Sequence, residues 1–284
     1  MGTGLTVVKC GGTAEVQAEA VCAGVARLVR EGRPVVLVHG GSAMVTELAG
    51  RLGVPLAELV SPDGTVSRRT DPATLEVVTL ALAGKAKPAL LLELARLAVP
   101  AVGLTGLDAG LLRARRKKAL RAVVDGRTVV VRDDRSGRLT SVATPLLRTL
   151  LAEGTVPVLS PPALAEDGLP VNVNADRVAA TVAAALGAAR LVLLTGAPGV
   201  LADSSDPASV RAEYQVHDGR DPAVGGGMTV KLTAAREALE AGVEDVRIAD
   251  GRFAATVADA LDGRGGTRIV GAGQAGPVLA AERR

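Results

Sequence analysis

The chain has 284 residues, enough for one large core or for two lobes, and its composition is 48% hydrophobic with a mean hydropathy of +0.31. That excludes a mostly disordered protein. With no Trp, one Tyr (Tyr214) and one Phe (Phe253), it lacks the ring faces on which nucleic-acid bases stack, and a net charge of +3 leaves only the local placement of charge to speak of partners. Cys10 and Cys22 are the only cysteines and His39 and His217 the only histidines, so neither a disulfide framework nor a zinc-ligand spacing is present; this suits a reduced, cytoplasmic protein. The N-terminus has no signal-peptide pattern. The apolar stretch 178–202 is interrupted by Gly187, Arg190, Gly196 and Pro198, so it reads as an Ala-rich helix and a Leu/Val strand, not a membrane span.

In chain order, residues 5–9 read as a buried strand, 14–31 as a helix, 34–39 as a second strand and 43–52 as a second helix after the turn Gly40-Gly41-Ser42. Residues 58–69 read as a hairpin around Pro62-Asp63-Gly64. Later strands are expected at 101–104, 156–160, 190–195 and 246–249. The polar segment 110–140, with turns at Asp125-Gly126 and Ser136-Gly137, suggests further hairpins. Pro161-Pro162 and Asp167-Gly168 read as a loop, a lobe boundary is expected near residue 175, and the last dozen residues read as a frayed tail. Alternating strands and helices predict a mainly parallel sheet covered on both faces, with sites beyond the carboxyl ends of its strands.

Three glycine turns stand at such strand ends or helix starts: Lys9-x-Gly11-Gly12, His39-Gly40-Gly41, and Gly225-Gly226-Gly227-Met228 leading to Lys231. Converging backbone N–H groups and a helix N-terminus attract anions, and a lysine adds full charge where phosphate oxygens would lie. Each feature alone has a plainer reading: a Gly-Gly as a tight corner, Lys9 and Lys231 as solvated lysines, Asp176 as a helix cap. Cys10 reads as a small packing residue.

Taken together with Asn172-x-Asn174-Ala175-Asp176, these motifs resemble the amino acid kinase family, in the order and spacing of its acetylglutamate kinase branch, over residues 5 to 271. Arg68-Arg69-Thr70-Asp71 is similar to that branch's substrate motif. The resemblance implies a three-layer αβα sandwich, with residues 1–175 as an acidic-substrate lobe and 176–284 as an ATP lobe, and a carboxylate phosphorylated by MgATP. It implies that Lys9 and Lys231 neutralise the transferring phosphoryl group while Asp176 holds both. Gly11, Gly12, Gly40 and Gly41 would offer N–H groups to it, Arg68 would pair with the substrate's α-carboxylate, and Asn172 would bind its other end. Thr195, Gly196, Gly227 and Met228 would join Lys231 around the nucleotide, with no metal ligand among the side chains. Two positions depart from the branch: Ser42 stands in place of a third glycine, and Gly196 in place of an acid.

Within the branch, Ser61-Pro62-Asp63-Gly64, Arg132-Asp133-Asp134 and Ser160-Pro161-Pro162-Ala163 are similar to the kinases that act on aminoadipate or glutamate tethered to a small acidic LysW-type carrier protein. Arg113, Arg115, Arg116, Lys117, Lys118 and Arg121 place six cations within nine residues, a candidate surface for docking that carrier. A solvated basic hairpin is the plainer alternative, and nucleic acid a weaker one. An ordinary acetylglutamate kinase and a catalytically silent binding member of the fold are the competing functions. A homodimer is the family's common state, and nothing suggests a membrane.

Overall fold

Strand β1 (Thr6–Cys10) is buried along its whole length, Lys9 included, as expected for the middle of a sheet covered on both faces. Helix α1 (Ala18–Arg30) returns the chain to β2 (Val35–His39), and α2 (Ser42–Leu52) follows the Gly40-Gly41 turn. The hairpin β3 (Glu58–Val60) and β4 (Val66–Arg68) leads into a long helical rod: α3 (Pro72–Thr79), a π-helical segment Leu80–Ala86, and α4 (Lys87–Arg96). Then come β5 (Ala101–Gly106), β6 (Leu112–Arg116), a separate hairpin of β7 (Leu120–Val124) and β8 (Arg127–Val131), and β9 (Gly137–Val142). Helix α5 (Thr144–Ala152), β10 (Val156–Ala165) and β11 (Pro170–Val171) precede α6 (Ala175–Leu186). The remaining elements are β12 (Arg190–Thr195), β13 (Glu213–Gln215), α7 (Gly226–Glu240), β14 (Asp245–Asp250), α8 (Ala254–Leu261) and β15 (Thr267–Val270). This computed structural model describes residues 4–62, 64, 66–124, 127–217 and 224–271.

The main sheet runs β13-β15-β14-β12-β1-β2-β10-β6-β9, with β5 and β11 also on β10. Its centre, from β14 through β12, β1 and β2 to β10 and β5, is parallel throughout. One face buries Val7, Val38, Leu159 and Leu193 against Ala179 of α6 and Ala235 of α7. The other buries Val8, Leu37, Val158 and Val192 against Val25 of α1, Leu94 of α4 and Val257 of α8. This is the expected three-layer αβα sandwich. The strand ends at Cys10, His39, Thr195 and Asp250 share one edge, and the Gly11-Gly12 and Gly40-Gly41 turns open from it.

Several expectations need correction. Helix α1 begins at Ala18, not at residue 14, because Val16 packs against Gly11 and Gly251 and Gln17 N–H donates to Gly251 O. Pro161 and Pro162 lie inside β10, not in a loop. Strand β10 pairs with β5 as far as Ser160 and with β11 and β6 only from Ala163 and Leu164, so the missing proline donors fall where the ladder changes partner. Ser136-Gly137 is not a hairpin turn: Ser136 bridges to Asn172 and Gly137 opens β9. The 58–69 and 110–140 hairpins are present as β3–β4 and β7–β8. The Asp125-Gly126 turn, Asp63 and the tail beyond Gly271 lie outside the described residues. No helix among the described residues is long and apolar enough to cross a membrane.

Candidate active site

Side chains alternate along a strand, so Lys9 shares the face of Val7 and points toward α6, the helix that starts with Ala175-Asp176. Asn174 caps that helix, its Oδ1 accepting from the N–H groups of Asp176 and Arg177, which fixes Asp176 in the first turn. Lys9 Nζ lies 2.9 Å from Asp176 Oδ1, and Lys231 Nζ, from α7, lies 3.1 Å from Asp176 Oδ2. Lys9 and Asp176 are each 4% exposed. Two cations thus share one buried carboxylate, leaving net positive charge for an incoming anion. Burial alone would raise the Asp176 pKa, but the two lysines more than offset it and hold the carboxyl below its usual range. Burial, then repulsion from Lys9, pulls the Lys231 pKa down against the attraction of Asp176. An ion pair between Arg177 and Glu237 ties α6 to α7 and so sets the distance across which Lys231 reaches.

Two of the three glycine turns, Gly11-Gly12 and Gly40-Gly41, meet beside this triad. A Cβ on Gly12 would stand 2.3 Å from Gly41 N and 2.7 Å from Ser42 N, so the two turns touch backbone to backbone. A Cβ on Gly41 would lie 2.6 Å from Leu82 of the π-helical segment. Ser42, the departure from three glycines, donates its hydroxyl to Gly12 O at 2.8 Å, and Ala43 N–H donates to the same carbonyl. That serine therefore clamps the first turn to the second. The thiol of Cys10 is buried and its pKa is pushed up to about 11, which fits a packing role.

Thr70 and Asn172, distant in sequence, meet through Asn172 Nδ2 donating to Thr70 Oγ1 at 3.3 Å, and buried Asp134 accepts from the N–H groups of Thr70 and Ser136. Asp71 caps α3 by accepting from Thr74 N–H. Arg68 stands on β4 opposite Glu58, half-buried, with no hydrogen bond or ion pair to it among the described residues; burial lowers its pKa, opposed by Glu58. Thr195 ends β12 and Gly196 follows it. A Cβ on Gly196 would lie 3.2 Å from Glu15 Oε2, so Glu15 brings a carboxylate to the place where an acid was expected from the chain itself. Gly227 and Met228 occupy the first turn of α7, with Met228 packed on the core.

The six cations of 113–121 do not act alike. Arg113, Arg115, Lys117, Lys118 and Arg121 are exposed. Arg116 instead turns inward, donating to Asp134 O and Arg132 O while its N–H donates to Glu166, and so fastens the fold. Lys117 keeps an exposed side chain, and its pKa is lowered by partial burial and then by repulsion from Arg177. Sequence reasoning missed Arg138, which lies opposite Arg115 in the β6–β9 ladder and extends the basic face. It also missed Glu15 and Glu237; an alternating count along β6 and β9 would have found Arg138, but nothing local marks the other two.

The amino acid kinase family model matches residues 4–250. A [LysW]-aminoadipate kinase of Deinococcus radiodurans is 39% identical over 263 residues, covering 92% of this chain and 90% of that protein. One from Thermus thermophilus is 39% identical over 92% of this chain and 98% of its own, and an acetylglutamate kinase of Symbiobacterium thermophilum is 38% identical over 87% and 84%. Among solved structures, smu.665 from Streptococcus mutans aligns with a TM-score of 0.72 at 22% identity, covering 94% of this chain and 99% of its own, which speaks to the fold. The chain belongs to the amino acid kinase family.

Replacing Asp176 with Asn should leave the buried Lys9 and the partly buried Lys231 without their counter-charge and cost roughly 3 kcal/mol of stability. The Asp176 pKa is lowered on folding, so its stabilisation is full above the ordinary carboxylate pKa and is lost as pH falls through the lower folded value. Denaturant melts on the acid side should show this step in the wild type and not in Asp176→Asn. A Gly12→Ala variant, whose new methyl meets backbone nitrogens, should lose about 1–3 kcal/mol in the same melts.

Proposed function

We propose that the protein uses ATP to phosphorylate the side-chain carboxylate of 2-aminoadipate, or of glutamate, whose amino group is carried on a small acidic LysW-type carrier protein. The buried Lys9–Asp176–Lys231 cluster carries this reading, since it offers two fixed cations and no candidate base. A carboxylate is already ionised at neutral pH and needs none. One of its oxygens attacks the γ-phosphorus, a new P–O bond forms, the bond to the β,γ-bridging oxygen breaks, and ADP leaves with the electron pair. No proton moves. Lys9 and Lys231 offset the charge on the phosphoryl oxygens, Asp176 aims both lysines, and Gly11, Gly12, Gly40 and Gly41 offer N–H groups.

Arg68, half-buried on β4, pairs with the α-carboxylate, and Asn172 binds the substrate's other polar end. Thr195, Gly196, Gly227 and Met228 line the nucleotide side. Residues 1–175 form the acceptor lobe and 176–284 the ATP lobe. Magnesium fits only as a passenger on the nucleotide: both Asp176 oxygens are engaged by lysines, and no group of three metal-binding side chains occurs among the described residues. Bound there, it would neutralise phosphate charge. Arg113, Arg115, Lys117, Lys118 and Arg121 form the carrier-facing surface. We assign the reaction to the cytoplasm. Exposed Leu80, Leu92 and Val102 favour a homodimer.

Acetylglutamate kinase is the second reading, favoured by the relative at 38% identity. Turnover of carrier-linked aminoadipate against free N-acetylglutamate separates the two: the carrier reading expects the tethered acid to dominate, and equal kcat/KM would overturn it. Lys9→Ala and Lys231→Ala should each lower kcat by roughly 10²–10³-fold; a folded variant with near-normal kcat would refute its assigned role. Reversing the charges of Arg113, Arg115, Lys118 and Arg121 should raise KM for the carrier substrate and spare small substitutes.

A further inference from the structure

Lys87 opens α4 directly after the π-helical segment, and it is 5% exposed. Pro88 explains the local geometry: it has no N–H to give the carbonyl one α-turn back, so the rod widens before it. The widened segment sets Leu82 and Ala86 against Gly41, and Lys87 follows Ala86. The stem of Lys87 lies across β5 at Gly103, where an added Cβ would stand 2.7 Å from its Cδ. No hydrogen bond or ion pair reaches the Lys87 ammonium among the described residues. Its electrostatic partner, Asp108, is turned onto Thr105, with Oδ2 accepting from both the N–H and the hydroxyl. Lys85, two residues back, is taken by Glu47.

Gly103 is in register with Val158 and Val158 with Leu37, so Lys87 lies over the sheet face that carries His39 two residues beyond Leu37, and His39 feels the charge of Lys87 and of Lys9. It is 1% exposed and ends the strand that feeds Gly40-Gly41. Its Nδ1 is 2.9 Å from Gly40 O, which can only accept, so Nδ1 carries the proton. The neutral ring therefore presents a bare Nε2, which is buried with no hydrogen-bond partner among the described residues. Burial, with Lys87 and Lys9 adding to it, holds the ring pKa down to about 4, so the ring is neutral at working pH.

We propose that Lys87 is a positioning residue for phosphoryl transfer: its ammonium acts on the bare Nε2 of His39, and His39 holds the Gly40 carbonyl so that the Gly40-Gly41 N–H groups stay turned toward the anion. The inference rests on reading that turn as part of the anion cradle. The charge on Lys87 strengthens the ring's Nδ1–H tautomer and adds positive potential behind the turn. Both effects are present when Lys87 is protonated and vanish as pH rises through its pKa, which burial lowers to about 8 against the pull of Asp108. A lysine serving only to fill space would show neither effect.

The test compares wild type with Lys87→Met, Lys87→Gln and Lys87→Arg. Ring ¹⁵N shifts need only two histidines assigned, His39 and His217, and need no substrate. His39 should show the Nδ1–H tautomer, with an Nε2 resonance that moves around pH 8 in the wild type and stays still in Lys87→Met and Lys87→Gln. With the carrier-linked acid, kcat/KM should fall above about pH 8 in the wild type. It should be roughly tenfold lower at pH 7 in the neutral variants, without that inflection. Lys87→Arg should keep the neutral-pH rate and lose the inflection near 8, while any alkaline limb from Lys231 persists in every variant. A His39 resonance indifferent to Lys87, or a folded neutral variant with the wild-type rate and profile, would overturn the proposal. If the wild type turned over no acid at all, the function would be misread, and the His39 titration would still decide the role of Lys87.

Discussion

One aspartate shared by two ammonium groups is the constraint around which this molecule is arranged. Burying Lys9 and Asp176 to 4% exposure costs solvation that only close, well-aimed pairing can offset. The distances of 2.9 and 3.1 Å show that pairing, and Lys231 arrives from a helix whose position is tied to α6 through Arg177 and Glu237. The outcome is a site with excess positive charge, fixed before any ligand comes. For a reaction in which phosphoryl oxygens carry the charge and the nucleophile is already an anion, such preorganisation is the main thing a protein can supply.

The fold serves that constraint directly. Parallel pairing of β1 with both β2 and β12 puts Lys9, Gly11-Gly12, Gly40-Gly41 and Thr195-Gly196 along one edge. The contact of Gly12 with the backbone of Gly41 and Ser42 lets two turns converge where any side chain would hold them apart. Ser42 and the π-helical segment then brace the second turn from either side. Family membership agrees with this arrangement, and relatives at 39% identity include [LysW]-aminoadipate kinases.

Much of this was legible before any coordinates, because strand-end glycines, apolar five-residue strands and a capped Asn-x-Asn-Ala-Asp segment are local signals. A mainly parallel sheet covered on both faces followed from them, whereas the meeting of Lys9 and Lys231 on Asp176 was implied by the resemblance of the combined motifs to the amino acid kinase family. What could not be read depends on register and depth. Pro161-Pro162 looks like a loop until the ladder is seen to change partner there. Arg116 looks like its neighbours until its side chain is found bonded to the backbone of Asp134 and Arg132. Lys87 looks like any helix lysine, since nothing local distinguishes a solvated ammonium from one lying across Gly103. Glu15 reaches Gly196 only because the chain after Gly12 delays its helix to Ala18.

The central claim is that Lys9 and Lys231 act on one phosphoryl group with Asp176 between them. A crystal structure with a non-hydrolysable ATP analogue and the acid acceptor tests it most directly. The account predicts both ammonium nitrogens within about 3 Å of γ-phosphoryl oxygens, with Asp176 still bonded to both. A γ-phosphoryl group seated away from either lysine, or an Asp176 that releases one of them to bind metal, would contradict it.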